Sequence, residues 1–274
     1  MVVCGIISVQ AGAGIADKLF GEISPAAVTG LRLWSSAIAM SLIAGRGLAA
    51  VFGDLRKRRA LPGGWTAVLF GIALGVMNFS IYQAFSRIPL GVAVTIEFLG
   101  PLAVAVAGSR HLRDAGWVVL AAAGVVLLTR GGHGHLDLTG VLFAGLAGAC
   151  WAAYIVLSSA TGRRFPGSTG LAIAMIVAGI LVTPPAVAAG GVAMFRPAVL
   201  ATGVAIGILS SVIPYRLELE ALRRMPMRLF GVWMSLEPAV AALIGLVLLG
   251  QQLSALEWLA IGCVMIACAG AALG

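Results

Sequence analysis

Apolar stretches long enough to cross a hydrocarbon layer as helices follow one another along almost the whole chain. Such a crossing takes about 20 apolar residues. Inside hydrocarbon every backbone N–H and C=O must find its partner within the protein, so only helices and closed barrels can span. The alternating segments of a barrel strand are missing. Hydrophobic residues make up 61% of the chain and charged residues 10%, against about 45–50% and 25% in soluble domains. A chain of this kind cannot cover a water-facing surface. The sequence predicts an all-α integral membrane protein.

Ten transmembrane helices are predicted, at roughly 2–20, 26–45, 65–85, 90–108, 115–130, 139–158, 168–188, 198–221, 228–249 and 256–273. The loops are short, so sequence neighbours should pack side by side. The first apolar run lacks a basic leader and a cleavage site and reads as a membrane helix. It begins almost at Met1, which leaves room for a start upstream.

The chain also repeats itself. Arg87-Ile88-Pro89, an apolar run and Pro101 are matched by Arg224-Met225-Pro226, an apolar run and Pro238. Each matched pair, Ala84 and Ala221 included, is separated by half of the 274 residues. Internal duplication in a very apolar chain is a common transporter design. Residues 1–131 are expected to form the first unit and residues 132–274 the second, with five helices each.

Orientation follows from basic residues in loops. With both termini cytoplasmic, the inner loops hold Arg46, Arg56, Lys57, Arg58, Arg59, Arg110, Arg113, Arg163, Arg164, Arg223, Arg224 and Arg228. The outer ends hold only Lys18, Arg87, Arg130 and Arg196. An odd number of spans per unit makes the second copy enter from the opposite face. The expectation is therefore two inverted five-helix repeats around a central site, the arrangement that supports alternating access.

The formal net charge of +8 raises a nucleic-acid reading. It fails, because the basic residues are scattered through short loops without a basic helix face or interleaved aromatics. Arg56-Lys57-Arg58-Arg59 reads as a topology signal. Cys4, Cys150, Cys263 and Cys268 lie in apolar runs without a C-x-x-C pair and read as packing residues. His133, His135 and Asp137 sit in the Gly-rich midpoint linker, and His111 in a loop; they are too few to fill a metal shell. No metal or cofactor is expected. Catalytic and P-loop signatures are missing, so the reading is not an enzyme and not an ATP-driven pump.

Charges inside hydrocarbon are costly and mark function by default. Arg32, Glu97, Glu218 and Glu237 stand out. At 1.5 Å per residue, Glu97 lies about 10 Å and Glu237 about 13 Å from opposite ends of their helices. Pro101 deprives the Glu97 carbonyl of its helical donor, and Pro238 does the same to Met234. Each unit would thus present one free carbonyl at an equivalent place, either for a ligand or as a packing kink. Asn78 and Tyr82 share a helix face. Gln10, Tyr154, Tyr215 and Trp233 complete the candidate set, with interhelical hydrogen bonding as the plainer role for each. Arg32 could bind a substrate carboxylate; a structural ion pair with Asp17 or Glu97 is slightly favoured. Arg216 and Glu220 are spaced to pair with each other. Gly71-x-x-x-Gly75 and Gly203-x-x-x-Gly207 read as close helix packing.

Several stretches carry a family likeness: Ser8 to Gly14, Val28 to Leu33, Met77-Asn78, Ile88 to Val94, Glu97 to Ala105, Gly148 to Ile155, Ile208-Leu-Ser-Ser, Pro214-Tyr215, Leu217-Glu218 and Met234 to Ala239. On them the chain resembles the drug/metabolite transporter superfamily with two EamA-type repeats. The likeness extends to bacterial inner-membrane threonine/homoserine exporters. It implies ten helices with cytoplasmic ends, export of small amphipathic metabolites, and a family pattern that includes Arg32, Glu97, Glu218 and Glu237. The chain departs from that pattern at Gly250-Gln251, where the family often has Gly-Glu, and Arg216 and Glu220 look additional.

The expected function is export of a small neutral amino acid across the inner membrane. Its ammonium would meet Glu97 or the freed carbonyls, and its carboxylate Asn78, Tyr82 or Arg32. Desolvation penalises a charged carboxyl group, so Glu97 or Glu237 could also carry a proton in exchange. A drug or another amphipathic metabolite is the alternative cargo, and a membrane sensor or scaffold without flux the remaining class. Expected partners are the small-molecule substrate and membrane lipid; a homodimer is compatible with the chain.

Overall fold

A computed structural model of the chain describes residues 1–56, 63–108, 114–131 and 137–273. Among the described residues there is no strand. The helices are α1 (Val2–Leu19), α2 (Pro25–Ala44), α3 (Arg46–Arg56), α4 (Gly64–Phe85), α5 (Leu90–Glu97), α6 (Leu99–Ala107), α7 (Asp114–Gly131), α8 (Leu138–Gly162), α9 (Thr169–Gly190), α10 (Pro197–Gly207), α11 (Ile213–Arg224), α12 (Met227–Met234), α13 (Glu237–Leu249) and α14 (Ala255–Leu273). Among the described residues, eight stretches are long and apolar enough to cross a membrane. Two of these are bent pairs, Leu90–Ala107 and Leu229–Leu249; the apolar stretches Ala115–Leu128 and Pro197–Val212 are shorter. Lys57 to Arg59, Arg110, His111, Arg113, His133 and His135 lie outside the described residues.

Local chemistry sets the boundaries. Ser24 accepts from the Ala27 N–H at 3.2 Å ahead of Pro25, the first residue of α2, which is the favoured order of cap and proline. Asp137 caps α8 through the Thr139 N–H at 2.8 Å. Ser254 and Glu257 form a reciprocal capping box on α14. The sequence reading leaves residues 46–56 in a loop, and the structure winds them into α3. Gly45, at φ +47°, turns the chain out of α2, and α3 is too short and too charged to register as a span. Leu48 anchors it, buried.

The two ends of the bundle can be told apart by their contacts. At one end, here the near end, Arg87 stands 3.8 Å from Asp137, and Leu90 donates to Gln251. At the far end, Arg164 lies 5.4 Å from the Trp65 ring, and α12 meets the last turn of α14 at Gly231 and Ala272. The main core runs through α1 to α10, α13 and α14. A second, smaller cluster joins Val2 and Ile6 of α1 to Ala221 of α11. Apolar side chains such as Leu42, Val119, Leu138 and Val247 point outward, toward the place of lipid tails.

Glycines let the helices approach closely. A Cβ at Gly71 would lie 2.5 Å from Val177 Cβ, and one at Gly203 2.8 Å from Leu31 Cβ, while Gly207 packs onto Ser35. Both glycine pairs do the packing work expected of them.

The Gly250-Gln251 corner holds by a neutral contact. Gln251 Oε1 accepts from the Leu90 N–H at 2.9 Å and thereby satisfies an orphan donor at the start of α5. Gln251→Ala is expected to destabilise the protein by about 1 kcal/mol, the usual cost of a lost cap. Gln251→Glu, which keeps the acceptor, should be milder. Thermal unfolding in detergent measures both.

Candidate functional site

Two helix breaks frame a cavity of about 410 Å³ in the middle of the bundle. Each break falls at the place its proline dictates. Helical continuity is lost at Phe98, between α5 and α6, and at Ser235-Leu236, between α12 and α13. Phe98 and Ser235 are separated by half the chain length, so the equivalent places seen in the sequence are where both helices bend. Glu97 is the last residue of α5, and Glu237 the first of α13. The two carboxyl groups therefore flank their breaks from opposite sides, and both are buried.

The freed Glu97 carbonyl is engaged in packing. Its oxygen lies 2.8 Å from where a Cβ on Gly148 of α8 would sit. That is a close backbone approach in which a Cα–H faces a carbonyl, and it takes this oxygen away from ligand binding. A third proline achieves what the sequence reading assigned to Pro101. Pro214 removes the helical donor for Ser210, within a π-helical turn at Ile208–Val212. Arg32 of α2 reaches this freed oxygen, its NH2 donating at 3.4 Å. Ser8 donates to the adjacent Leu209 carbonyl at 2.7 Å, and Ser36 to Ser211 Oγ at 2.9 Å. Turns of this kind often occur at functional sites. The spacing of Pro214 to Ser210 was the available sequence signal for Ser210, which the candidate set missed.

Eight of the ten candidates line the cavity: Gln10, Arg32, Asn78, Tyr82, Glu97, Tyr154, Glu218 and Glu237. Gln10 Nε2 donates to Glu237 Oε1 at 2.9 Å, tying α1 to the start of α13. Asn78 returns its Nδ2 to the Leu74 carbonyl of its own helix at 2.8 Å. Tyr154 packs on Phe70 with ring centroids 5.1 Å apart. Arg32 does not make the structural ion pair favoured from sequence: among the described residues no salt bridge joins it to Asp17 or Glu97. Its guanidinium instead stands 5.2 Å from the Tyr82 ring centroid, a cation–π arrangement. Glu220 pairs with Arg224, whose Nε donates at 2.7 Å, while the Arg216 side chain lies outside the described residues.

The other two candidates do not join this group. Trp233 is 45% exposed and is not among the cavity's lining residues; at its place on α12 the side chain points away from the bundle. The Tyr215 side chain lies outside the described residues. The cavity wall adds Met77, Phe85, Phe98, Trp151, Ser210 and Cys268, most of them apolar or aromatic side chains whose type alone could not separate wall from core.

Five buried polar atoms around the cavity have no hydrogen-bond partner among the described residues: Gln10 Oε1, Arg32 Nε, Tyr82 OH, Ser210 Oγ and Glu237 Oε2. Buried polar groups are ordinarily paired. The donors Arg32, Ser210 and Tyr82 stand in the same chamber as the acceptors Gln10 and Glu237, with the Glu97 and Glu218 carboxyl groups adding to the acceptor side. One cation and three carboxyl groups in an apolar shell suit a small solute that carries both an ammonium and an anionic or hydroxyl group. Among the described residues no group of three or more His, Cys, Asp or Glu side chains could hold a metal ion.

Residues 138–273 match the EamA-like transporter family. The threonine/homoserine exporter RhtA of Escherichia coli is 38% identical over 275 residues, covering 100% of this chain and 90% of the relative. RhtA of Salmonella typhimurium is 37% identical over 268 residues, covering 97% of this chain and 88% of the relative. A crystal structure of a protein with 20% sequence identity superposes with a TM-score of 0.63, covering 99% of this chain and 96% of the other; at that identity the likeness is one of fold.

Proposed function

The chain belongs to the EamA-like transporter family, and from that premise we propose that it exports a small neutral amino acid of the threonine/homoserine kind. The observation that carries this reading is the central cavity, where Arg32 and three carboxyl groups meet inside an apolar bundle. Its volume falls in the usual range of small-molecule sites, about 300–1,000 Å³. The substrate carboxylate is assigned to Arg32 with Ser210, and the ammonium to Glu97 with Glu237. Among the described residues no hydrogen bond or salt bridge holds the Glu97 side chain; Arg32 acts on its charge through space, and the ammonium would be its direct contact. Relatives named threonine/homoserine exporters over 88–90% of their own length support the cargo class.

The transport cycle is alternating access by two inverted units, residues 1–131 and 132–274, with ten crossings and cytoplasmic termini. The short stretches Ala115–Leu128 and Pro197–Val212 supply the crossings beyond the eight long ones. A membrane-embedded carboxyl group exchanges a proton for the amino acid. A second cargo reading, an amphipathic metabolite or drug, draws on the aromatic wall formed by Phe85, Phe98 and Trp151.

Efflux from proteoliposomes decides between them. Loaded homoserine or threonine should leave faster than from protein-free vesicles, and an inward proton gradient should accelerate it. Equal efflux of neutral amphipaths without an ammonium would favour the second cargo. No flux of either kind would remove transport altogether.

A further inference from the structure

Two chambers lie in line and share one side chain. The second, about 640 Å³, opens at the near end and is bordered by Asp17, Gln83, Arg87 and Gln251. Phe85 lines both chambers and is buried. Its ring packs 5.6 Å from Tyr82, and the Tyr82 ring meets Phe20 edge-on at 6.1 Å. Phe20 borders the outer chamber and Tyr82 the central one. An aromatic layer one side chain thick therefore separates the two chambers. In the other direction the central lining continues to Ala105, Phe230 and Ala272, close to the far ends of α6, α12 and α14.

The outer chamber carries both charges of a zwitterion receptor. Arg87 is fixed in place: NH1 donates to the Gln83 carbonyl at 2.6 Å, to Gln83 Oε1 at 2.9 Å and to Ser86 Oγ at 3.1 Å. Its only ion-pair partner among the described residues is Asp137 at 3.8 Å, with both side chains substantially exposed. Such a pair contributes little and can be exchanged for a solute carboxylate. Asp17 is half-buried in the same chamber, and no described residue pairs with it. A partly buried charge without a partner is costly to hold, and an ammonium group would offset that cost.

We propose that the outer chamber is a second station for the zwitterionic solute, with the ammonium on Asp17 and the carboxylate on Arg87. Phe85 is the side chain that must swing aside for passage between the stations. The proposal rests on the export of a zwitterion argued above, and it deepens that reading by adding a site and a barrier outside the central cavity.

Cys268 lines the central cavity and serves as a native reporter of the barrier. In a Cys4→Ser, Cys150→Ser, Cys263→Ser background, a membrane-impermeant methanethiosulfonate is applied to each face of oriented vesicles. From the near-end face, Phe85→Ala should speed Cys268 modification at least tenfold, and Phe85→Leu, which still fills the layer, less than threefold. The rate from the other face should stay within twofold. An unchanged near-end rate in Phe85→Ala overturns the barrier.

The station is read with a probe at Ser86→Cys in a background where all four native cysteines are Ser. Millimolar homoserine should slow its modification at least fivefold when Asp17 is present and less than twofold in Asp17→Asn. Absence of protection, or equal protection in both, overturns the station. Neither measurement requires flux, so failure of the export reading would show separately, as protection without efflux.

Discussion

Gly100→Val is expected to unfold the helix pair that carries Glu97. A side chain at Gly100 overlaps the carbonyl oxygen of Gly148, and a Cβ there also lies 2.7 Å from the Gly148 carbonyl carbon and 3.1 Å from its Cα. These are backbone atoms of a long helix, so no rotamer change relieves the clash. Overpacking costs about 1–3 kcal/mol when side chains can yield, and more when backbone must shift. At about 2–4 °C of Tm per kcal/mol for chains above 150 residues, the Tm should fall by roughly 5–10 °C or the folded fraction should vanish on gel filtration. Gly145→Val is the control, on the facing helix α8 with no atom within 4 Å of its Cβ. Equal destabilisation by the two would mean that helix propensity, and not the α6–α8 contact, governs the result.

Glu97→Gln is expected to cut homoserine efflux by about 10- to 100-fold at subsaturating concentration. The basis is the loss of a charge-assisted hydrogen bond to the ammonium, worth about 1.5–3 kcal/mol, with each 1.4 kcal/mol a factor of about ten. The replacement keeps the volume and breaks no hydrogen bond or salt bridge among the described residues; Arg32, which acts on the Glu97 charge through space, keeps its bond to Ser210 and its place by the Tyr82 ring. The variant should therefore remain as stable as the parent. Glu237→Gln differs, because Gln10 Nε2 donates to that carboxyl group, so its loss mixes structural and functional effects. Trp233→Ala, on the outward face of α12, should change efflux by less than twofold. Wild-type efflux from Glu97→Gln with an unaltered response to a proton gradient would dismiss the carboxylate from the mechanism.

The parts of the fold that could be read from sequence are those governed by hydrocarbon length and by proline. Runs of about 20 apolar residues locate the long helices, and Pro101 and Pro238 locate the two bends. What the freed oxygens then touch depends on the neighbouring helix, which a one-dimensional pattern does not contain. Gly148 happens to face Glu97, and Arg32 happens to face Ser210. Helix α3 escaped for a different reason: its 11 residues carry charges that read as loop in a chain otherwise so apolar. The embedded charges Arg32, Glu97, Glu218 and Glu237 were legible because hydrocarbon makes them expensive. Trp233 was not, since an aromatic side chain is equally at ease against lipid and in a cavity. Ser210 could have been found from the spacing to Pro214, but its contact with Arg32 could not.

The glycine seams at Gly71, Gly203 and Gly207 carry a thermal consequence. Helices that part within a bilayer expose their contact faces to lipid tails, not to water, and water exposure is what gives unfolding its large heat capacity. Cohesion along these seams is dispersion between closely fitted surfaces. The free energy of separating such helices should therefore vary almost linearly with temperature, without the domed profile of a water-soluble globule and without its loss of stability in the cold.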